Sequence, residues 1–444
     1  MPFTETDREL TRHSYYAATA PRAASHPALT ADVRCDVAVV GGGLAGLSAA
    51  VDLRQRGFDV VLLEARHVGF GASGRNGGQA IHGLACEQQV IEAQLGLSEA
   101  RRVWDMTIEA LAVLRQRIAE HRIDCDWRDG YLGLAVGARK GRELALAADA
   151  LERDYGYVLD RIAPADVSRW IASPRFHSGV HDSRSGHLHP LKYTLGLARA
   201  ATEAGVRIHE NSEVTTWTQR SDSVHLRTAA GAGVVAGQVL LAGNVYLGAL
   251  APELAPRIMP VGTYIACSEA LELALARSLV PSGAAVCDTN FVLDYFRPTA
   301  DHRMLYGGRV SYSTRTPADL ADSMRQRMVA TFPQLAGAQI EYAWGGFVDI
   351  TMSRAPDFGR LDAEGRIARP GAPGRVYYLQ GFSGHGLALT GLAGRLVAEA
   401  MAGDAGRFDL LARLEHRRFP GGAALRTPAL VLGMAWYRLR DLVG

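Results

Sequence analysis

Residues 36–64 read DVAVVGGGLAGLSAAVDLRQRGFDVVLLE, and this stretch decides the fold. An apolar run leads into a glycine turn, an alanine-rich segment follows, and a second apolar run ends on Glu64. This order of strand, turn, helix, strand and acid is typical of a dinucleotide-binding βαβ unit, which takes about 30 residues. A glycine-rich surface loop, the alternative interpretation, does not account for the acid at the end of the second run.

Each glycine of the turn has a predicted task. Gly41 allows the tight turn, Gly43 lets a pyrophosphate approach the backbone, and Gly46 lets the helix pack closely on the strand. The free N–H groups and the dipole at the start of the helix favour the negative charge of phosphates. Glu64 is placed to accept hydrogen bonds from ribose hydroxyl groups.

The composition describes an ordinary globular protein. The chain has 444 residues, of which 48% are hydrophobic and 21% charged, so two or three domains are expected. A net charge of +2 gives no electrostatic reason to predict binding to nucleic acid. The five cysteines are scattered and show no C-x-x-C spacing, which argues against a zinc site and a disulfide framework. We therefore predict no metal site.

Neither a targeting signal nor a membrane span is predicted. Residues 1–30 are polar and lack the apolar centre of a secretory signal, and no apolar run approaches the ~18 residues of a span. The apolar segment 428–437 is too short to span, and we interpret it as a terminal helix docked on the body rather than a membrane-surface helix. A cytoplasmic protein without stable membrane insertion is expected, and its oligomeric state is unknown.

Two further glycine-rich stretches follow apolar runs. Residues 68–79 read VGFGASGRNGGQ, and residues 381–386 read GFSGHG before a predicted helix at 387–401. Strand-rich segments of a different character lie between them. We predict an α/β fold: an FAD-binding Rossmann-type domain of the glutathione-reductase type, built from discontinuous segments, and a mixed-sheet α+β substrate domain. The predicted segments are 1–88, 156–256 and 353–444 for the FAD-binding domain, and 89–155 and 257–352 for the substrate domain.

Several short strings resemble those of the D-amino-acid-oxidase-like superfamily of FAD amine oxidoreductases. Within it, the chain is most similar to the gamma-glutamylputrescine-oxidase-like flavoproteins. The similarity runs nearly from end to end. The matching strings are SYYAA at 14–18, GFGASGRNGGQ at 69–79, GHLHP at 186–190, AGNVYLG at 242–248, LYGG at 305–308, QGFSGHG at 380–386 and FPGG at 419–422.

The resemblance implies which residues bind FAD. The pyrophosphate, ribose and adenine would contact Gly41, Gly43, Leu44, Ala45, Gly46, Glu64, Ala65, Arg66, Val214, Gly243 and Asn244. The second loop would pass along the pyrophosphate and flavin through Ser73, Gly74, Arg75, Asn76, Gly77, Gly78 and Gln79. The third stretch, Gly381, Ser383, Gly384, His385, Gly386 and Leu387, would reach the pyrimidine side of the flavin, where a helix dipole stabilises the anionic reduced form.

Two departures from related enzymes affect the cofactor. Some relatives attach FAD through a cysteine in the C-terminal half, but no cysteine follows Cys287 here, and others use a histidine where this chain reads GRNG at 74–77. We therefore predict non-covalent FAD. Relatives also use a lysine to activate oxygen, and the strand at 260–266 contains none. Oxygen use would then depend on an arginine or histidine, or be slow.

The resemblance implies oxidation of a C–N bond. A hydride equivalent would pass from the carbon next to a neutral amine to the flavin, and the imine would hydrolyse to an aldehyde. Oxygen would then reoxidise the flavin and give hydrogen peroxide. The expected substrate is gamma-glutamylputrescine or a similar amine. The alternatives are a D-amino-acid or imino-acid dehydrogenase that passes electrons to a quinone, and a non-catalytic FAD-binding subunit.

Candidate catalytic and substrate-binding residues are less specific. His82, Tyr264 and His385 are the catalytic candidates, although His82 is equally suited to helix packing, and His187 and His189 are better suited to capping than to catalysis. Aromatic residues at Tyr295, Trp344 and Phe347 would surround an alkylammonium group or serve as core. Arg309 and Arg354 would bind a carboxylate through two hydrogen bonds each, with exposed surface positions as the alternative.

Overall fold

The computed structural model describes residues 14–22, 25–290, 292–311 and 319–420, with the side chains of 309–311 left out. Arg309 and the apolar segment 428–437, both singled out above, therefore lie outside the described side chains. Eleven helices occur in the described part of the chain. They are α1 (Tyr15–Thr19), α2 (Leu44–Gln55), α3 (Gln88–Leu95), α4 (Leu97–Glu120), α5 (Ala138–Tyr155), α6 (Val167–Trp170), α7 (Pro190–Glu203), α8 (Leu273–Leu279), α9 (Leu320–Thr331), α10 (Gly386–Met401) and α11 (Gly406–Ala412).

The first sheet carries the predicted βαβ unit. Its strands are β1 (Val33–Val40), β2 (Val60–Leu63), β7 (Arg207–His209), β8 (Val214–Gln219), β9 (Val224–Thr228), β10 (Gly233–Leu241), β16 (Asp357–Leu361) and β17 (Val376–Gln380). Five of them run parallel in the order β17-β10-β1-β2-β7. β16 adds an antiparallel edge, and β8 and β9 form a hairpin against β10.

The apolar runs of β1 and β2 are continuous because both faces of this sheet are covered. Residues 37–40 and 60–63 are all buried. On one face, α2 packs against α10, and the two helices approach closely at Gly394, where a Cβ would lie 2.5 Å from the Ala49 nitrogen. This packing brings the end of the third glycine stretch, where α10 begins, toward the first glycine turn, where α2 begins.

The second sheet has nine strands in the described part of the chain. They are β3 (Gln79–Ala80), β4 (Arg128–Ala135), β5 (Asp160–Ile162), β6 (Ser178–His187), β11 (Ile258–Ser268), β12 (Ala285–Asp288), β13 (Tyr295–Pro298), β14 (Met304–Ser311) and β15 (Ile340–Thr351). Their order is β15-β11-β14-β13-β12-β4-β6-β3, with β5 on β6, and the pairings are antiparallel except between β4 and β12.

Two glycine-containing stretches lie in strands rather than in turns. Residues 129–130 lie within β4, whose register against β6 shifts between Asp129 and Tyr131. Residues 185–187 end β6. In both cases the glycine lies where the hydrogen-bonded pairing of two strands is irregular, and the chain does not reverse there.

The strands within 156–256 are shared between the two sheets. β5 and β6 belong to the second sheet, and β7 to β10 belong to the first. The predicted domain boundaries assigned this whole segment to the FAD-binding domain. We propose instead that the first substrate-domain segment extends from residue 89 through His187.

Candidate active site

One large cavity brings the three glycine stretches together. Its volume is about 1370 Å³. This exceeds the roughly 300–1,000 Å³ of a pocket for a drug-sized ligand. The predicted residues that line it are Gly41, Gly43, Leu44, Ala45, Glu64, Ala65, Arg66, Ser73, Asn76, Gly77, Gln79, Val214, Gly243, Asn244, Tyr295, Arg354, Ser383, Gly384, His385, Gly386 and Leu387.

The first glycine turn leaves no space for a side chain at Gly41 or Gly46. Gly41 has φ +116°, and a Cβ there would lie 2.7 Å from the Ala242 carbonyl oxygen. At Gly46 a Cβ would lie 2.0 Å from the Gly41 oxygen, so only glycine permits this contact between turn and helix. The Leu44 N–H donates to Ser73 Oγ at 2.9 Å, which joins the second loop to the first turn.

Glu64 is anchored by backbone donors. Its two carboxylate oxygens accept from the N–H groups of Gly42 at 2.7 Å and Arg66 at 2.9 Å. Burial raises the pKa of Glu64, and these two hydrogen bonds oppose that rise. The carboxylate therefore has a fixed orientation at the same cavity wall as Val214, and its contact with a ribose stays a prediction.

Two helices begin at the cavity wall, α2 after Gly43 and α10 after His385. Neither N-cap residue, Gly43 or His385, caps its helix with its own side chain, and neither helix has an acidic residue in its first turn. Their positive dipole ends are therefore suited to anionic groups of a ligand. A pyrophosphate at α2 and a flavin pyrimidine at α10 stay predictions.

Asp349 is a cavity residue that the sequence analysis missed. It is 4% exposed, and its Oδ2 accepts from the N–H groups of Gly381 and Phe382, the latter at 3.0 Å. The Asn244 side chain also hydrogen-bonds this carboxylate. Burial raises the pKa of Asp349 to about 6, against these hydrogen bonds. The lone acid in an otherwise apolar run, GGFVDIT at 345–351, was the available signal.

The turn that Asp349 holds has an unusual backbone. Gly381, Ser383 and Gly384 have φ values of +75°, +52° and +99°. The Ser383 N–H donates to the Asp349 carbonyl at 3.1 Å, and the Ser383 Oγ accepts from the Thr351 N–H at 3.2 Å. β15 therefore fixes the turn that leads into α10.

The residues present fit FAD. Gly43 and Gly77 both line the cavity, and a Cβ there would lie 2.8 Å from Ser73 Oγ and 2.6 Å from the Tyr295 ring, so the wall at these positions consists of backbone. Asn244 Oδ1 is buried at this wall, and none of the described residues hydrogen-bonds it. A buried acceptor without a donor is costly unless a ligand supplies one.

His385 lies at the wall between the third glycine stretch and α10. Burial, helped by the charges of His82 and Arg354, lowers its pKa to about 4. The ring is therefore neutral at pH 7. Arg354, which has φ +60°, lines the same cavity and is near enough to His385 to affect its titration.

Several predicted residues lie behind the cavity wall. His82 Nδ1 is 2.7 Å from Asp182 Oδ2, and its ring packs on Tyr157. Tyr264 and Trp344 are 2% and 1% exposed in hydrophobic cores. The remaining predicted residues that do not line the cavity are Gly46, Gly74, Arg75, Gly78, Phe347 and Gly381.

His187 and His189 have structural contacts, as the capping interpretation expects. His187 Nε2 lies 2.9 Å from the Gly283 carbonyl oxygen, and His189 Nδ1 accepts from the Lys192 N–H at the start of α7. Burial, with the charge of Arg297, lowers both pKa values to about 3. Both rings are neutral at pH 7.

The end of the cavity near Tyr295 has further residues that sequence reasoning missed. Tyr131, Cys287 and Asp288 line it. The Cys287 thiol donates to Gln79 Oε1 at 2.9 Å, and burial raises its pKa to about 12. β4 and β12 bring these residues together by parallel pairing across about 150 residues of sequence, so no local pattern could have grouped them.

Within the described residues, no group of three or more His, Cys, Asp or Glu side chains could hold a metal ion. In the same part of the chain, no helix combines the length and apolarity needed to cross a bilayer.

Fold and cavity define a dinucleotide-binding oxidoreductase, and comparison with known families identifies the class. Residues 36–400 match the DAO family, described as FAD dependent oxidoreductase, and the chain belongs to this family. It is therefore an FAD-dependent oxidoreductase, as predicted.

Curated relatives extend over the whole chain. The chain is 44% identical to a "Gamma-glutamylputrescine oxidoreductase" of Escherichia coli (strain K12), over 98% of this chain and 100% of the relative. It is 37% identical to a "Probable oxidoreductase OrdL" of Haemophilus influenzae, over 96% and 97% of the two chains. The predicted resemblance is confirmed.

Solved structures share the fold at low identity. A glycine oxidase from Bacillus cereus superimposes with a TM-score of 0.70 at 20% identity, covering 86% of this chain and 99% of that one. An L-amino acid deaminase from Proteus vulgaris gives a TM-score of 0.69 at 18% identity, covering 86% and 94%. The predicted fold class is confirmed.

Proposed function

We propose that this protein oxidises gamma-glutamylputrescine, or a similar primary amine, at the carbon next to its terminal amine. The observation that carries the proposal is the 44% identity to a relative of that name over 98% of the chain. FAD, when bound, supplies the acceptor for the hydride equivalent that leaves this carbon. The imine product hydrolyses in water to an aldehyde and ammonia.

The chain's own residues would bind and orient the amine. Tyr131 and Tyr295 line the cavity, and aromatic faces attract an alkylammonium group. His385 is neutral at pH 7 because of its pKa of about 4, so it adds no positive charge beside a cationic substrate. Its ring can hydrogen-bond the amine and help to hold it.

Arg354 is our candidate for binding the glutamyl carboxylate. Among the described side chains at the cavity wall, the arginines are Arg66, beside Glu64, and Arg354, near His385. A guanidinium group binds a carboxylate through two parallel hydrogen bonds. Arg354 would thus select an amine that carries a distal acid over a plain diamine.

An anaerobic titration of the FAD-loaded protein tests this function. Gamma-glutamylputrescine should remove the visible flavin absorbance, and putrescine, which lacks the carboxylate, should do so only at about tenfold higher concentration or above. The variant Arg354→Gln should lose this preference and keep its reaction with putrescine. No loss of absorbance with either amine contradicts the proposal.

A second candidate, oxidation of D-amino or imino acids, is favoured by the position of Arg354 near His385. A carboxylate bound there would leave a short substrate's α-carbon beside the start of α10. The same titration with D-alanine and D-proline separates the two functions. Bleaching by these acids and not by gamma-glutamylputrescine would favour the second.

The electron acceptor is proposed to be oxygen, giving hydrogen peroxide. The chain has two lysines, and both are engaged away from the cavity: Lys192 Nζ with Asp126 at 2.9 Å, and Lys140 Nζ with Asn290 at 2.7 Å. Arg354, which lines the cavity near His385, is our candidate for the cation that favours oxygen reduction. Peroxide release in air, compared with turnover on an artificial acceptor, distinguishes oxygen from a quinone.

The FAD is proposed to be non-covalent. Cys86 and Cys287 line the cavity, and burial raises their pKa values to about 11 and about 12. Both thiols are protonated at pH 7 and are poor nucleophiles. Acid denaturation should therefore release the yellow chromophore into the supernatant, and flavin that stays with the precipitate would refute this attachment.

A further inference from the structure

The four carbonyl groups of residues 75–78, in the second glycine loop, all accept hydrogen bonds from outside the loop. The donors come from four distant parts of the chain. They are Trp344 Nε1 to the Arg75 oxygen at 3.0 Å, Tyr16 OH to Asn76 at 2.8 Å, Arg297 Nε to Gly77 at 2.8 Å, and the Leu188 N–H to Gly78 at 2.8 Å.

The three side-chain donors form one buried unit. Tyr16 in α1, Trp344 in β15 and Arg297 in β13 are 0%, 1% and 3% exposed. Arg297 Nη2 donates to the Tyr16 oxygen at 3.2 Å, and the rings of Tyr16 and Trp344 are 5.1 Å apart. We call these three residues the carbonyl clamp. Because its members contact each other, its geometry is fixed before any ligand binds.

The N–H groups of the same loop are satisfied differently. Those of Arg75 and Asn76 donate to the Ala72 carbonyl at 3.2 Å, and that of Gly78 donates to Asn76 Oδ1 at 2.8 Å. No described residue accepts the N–H of Gly77. Asn76 and Gly77 line the cavity, so this N–H is available to a ligand.

Tyr16 controls the direction of that N–H group. The Asn76 carbonyl and the Gly77 N–H belong to one peptide group, and in a planar trans peptide the two point in opposite directions. The Tyr16 hydroxyl holds the carbonyl on the side away from the cavity. The N–H must then face the opposite side.

We propose that Tyr16 is a positioning residue for the cofactor: the carbonyl clamp aims the Gly77 N–H at a nitrogen or oxygen acceptor of the isoalloxazine ring of FAD. The N-terminal helix α1 thereby becomes part of the flavin site, although it lies outside the residues that match the family. The inference requires FAD binding and does not depend on which amine is oxidised.

The test compares Tyr16→Phe with Tyr15→Phe. Tyr15 is the neighbouring buried tyrosine, and its hydroxyl donates to Asp301 at 2.6 Å rather than to the loop. FAD is removed from each full-length protein and titrated back by its fluorescence. The dissociation constant of Tyr16→Phe should rise about fivefold to tenfold, as expected for one lost hydrogen bond. Tyr15→Phe should stay within about twofold of the unchanged protein.

Two further measurements separate positioning from a general loss of stability. The visible spectrum of bound FAD should change in Tyr16→Phe and not in Tyr15→Phe. Urea unfolding of both apoproteins measures any general loss of stability. Trp344→Phe removes the hydrogen bond to the Arg75 carbonyl and should weaken FAD binding without affecting Tyr15. If Tyr16→Phe does not fold, Trp344→Phe takes its place in the comparison with Tyr15→Phe.

Equal FAD affinities and spectra for the two tyrosine variants would overturn the inference. A failure of the unchanged protein to bind FAD would instead contradict the cofactor assignment. The two failures are therefore distinguishable.

Discussion

Asp349 shows how a single buried carboxylate can determine the shape of a cofactor site. Its Oδ2 accepts two backbone N–H groups of the turn that precedes α10. Three of the four residues at 381–384 have positive φ values, and one of them, Ser383, is not glycine. Such a backbone persists only when the surrounding contacts hold it.

We expect Asp349→Ala to be strongly destabilising, because it leaves two buried donors without an acceptor. The expected loss is about 2–5 kcal/mol of unfolding free energy, with loss of bound FAD. Asp349→Asn keeps an oxygen for both donors and removes only the charge, so it should lose less than half as much. Urea unfolding and the flavin-to-protein absorbance ratio measure both effects. Retention of full stability and full FAD content by the alanine variant would show that the turn is held by other contacts.

His385 illustrates a residue that the sequence singled out without indicating its ionisation. The sequence put it in the third glycine stretch, and the structure puts it at the cavity wall. Its low pKa results from burial and from His82 and Arg354, which are far from it in sequence. The catalytic role of His385 stays a prediction.

At the scale of elements, the turn between β1 and α2 has the least steric freedom. Gly46 lies in the first turn of α2, against the Gly41 carbonyl oxygen. A methyl group there would require the helix to move away from the turn. The N–H groups at the start of α2 would then no longer face the cavity as they do now.

Gly46→Ala should therefore abolish FAD retention and lower stability. Gly337→Ala is the matched control, because no atom lies within 4 Å of the Cβ that it would add. The flavin-to-protein ratio after gel filtration and the urea midpoint give the answer. If the Gly46 variant keeps its flavin, the close contact is not required for the site.

The two helices that begin at the cavity are placed by their contact with each other. α2 and α10 are more than 300 residues apart in sequence and pack closely at Gly394. The sequence predicted both helices and both glycine stretches. It could not show that the helices share a face, because that depends on the parallel pairing of β10 with β1 and β17.

At the scale of the whole molecule, buried histidines couple stability to pH. His187 has a pKa of about 3 in the folded protein, against about 6.5 when unfolded. Folding thus keeps this ring neutral where the unfolded chain is protonated. The contribution of this lowered pKa to the free energy of unfolding is fully present above pH 6.5 and is lost as the pH falls toward 3.

His187→Asn should flatten the pH dependence of stability. Between pH 6 and pH 4 the unchanged protein should lose about 1.4 kcal/mol per pH unit more than the variant. His189→Asn, at a second buried site with the same lowered pKa, should flatten it by a similar amount. Urea unfolding at several pH values gives the slopes. Parallel curves for variant and unchanged protein would mean that these rings are protonated in the folded state.

The sequence by itself determined the local parts: the βαβ unit, the glycine stretches at three places in the chain, the acid at residue 64 and the family. These follow from short-range patterns, because turn geometry and hydrophobic periodicity are properties of neighbouring residues. Only the tertiary structure decided which side chains reach the cavity. It grouped Tyr131, Cys287, Asp288 and Asp349 at the wall, put Tyr264 and Trp344 behind it, and joined Tyr16 to the second glycine loop. Such groupings depend on strand pairing and helix packing between segments that are remote in sequence, and no local pattern records them.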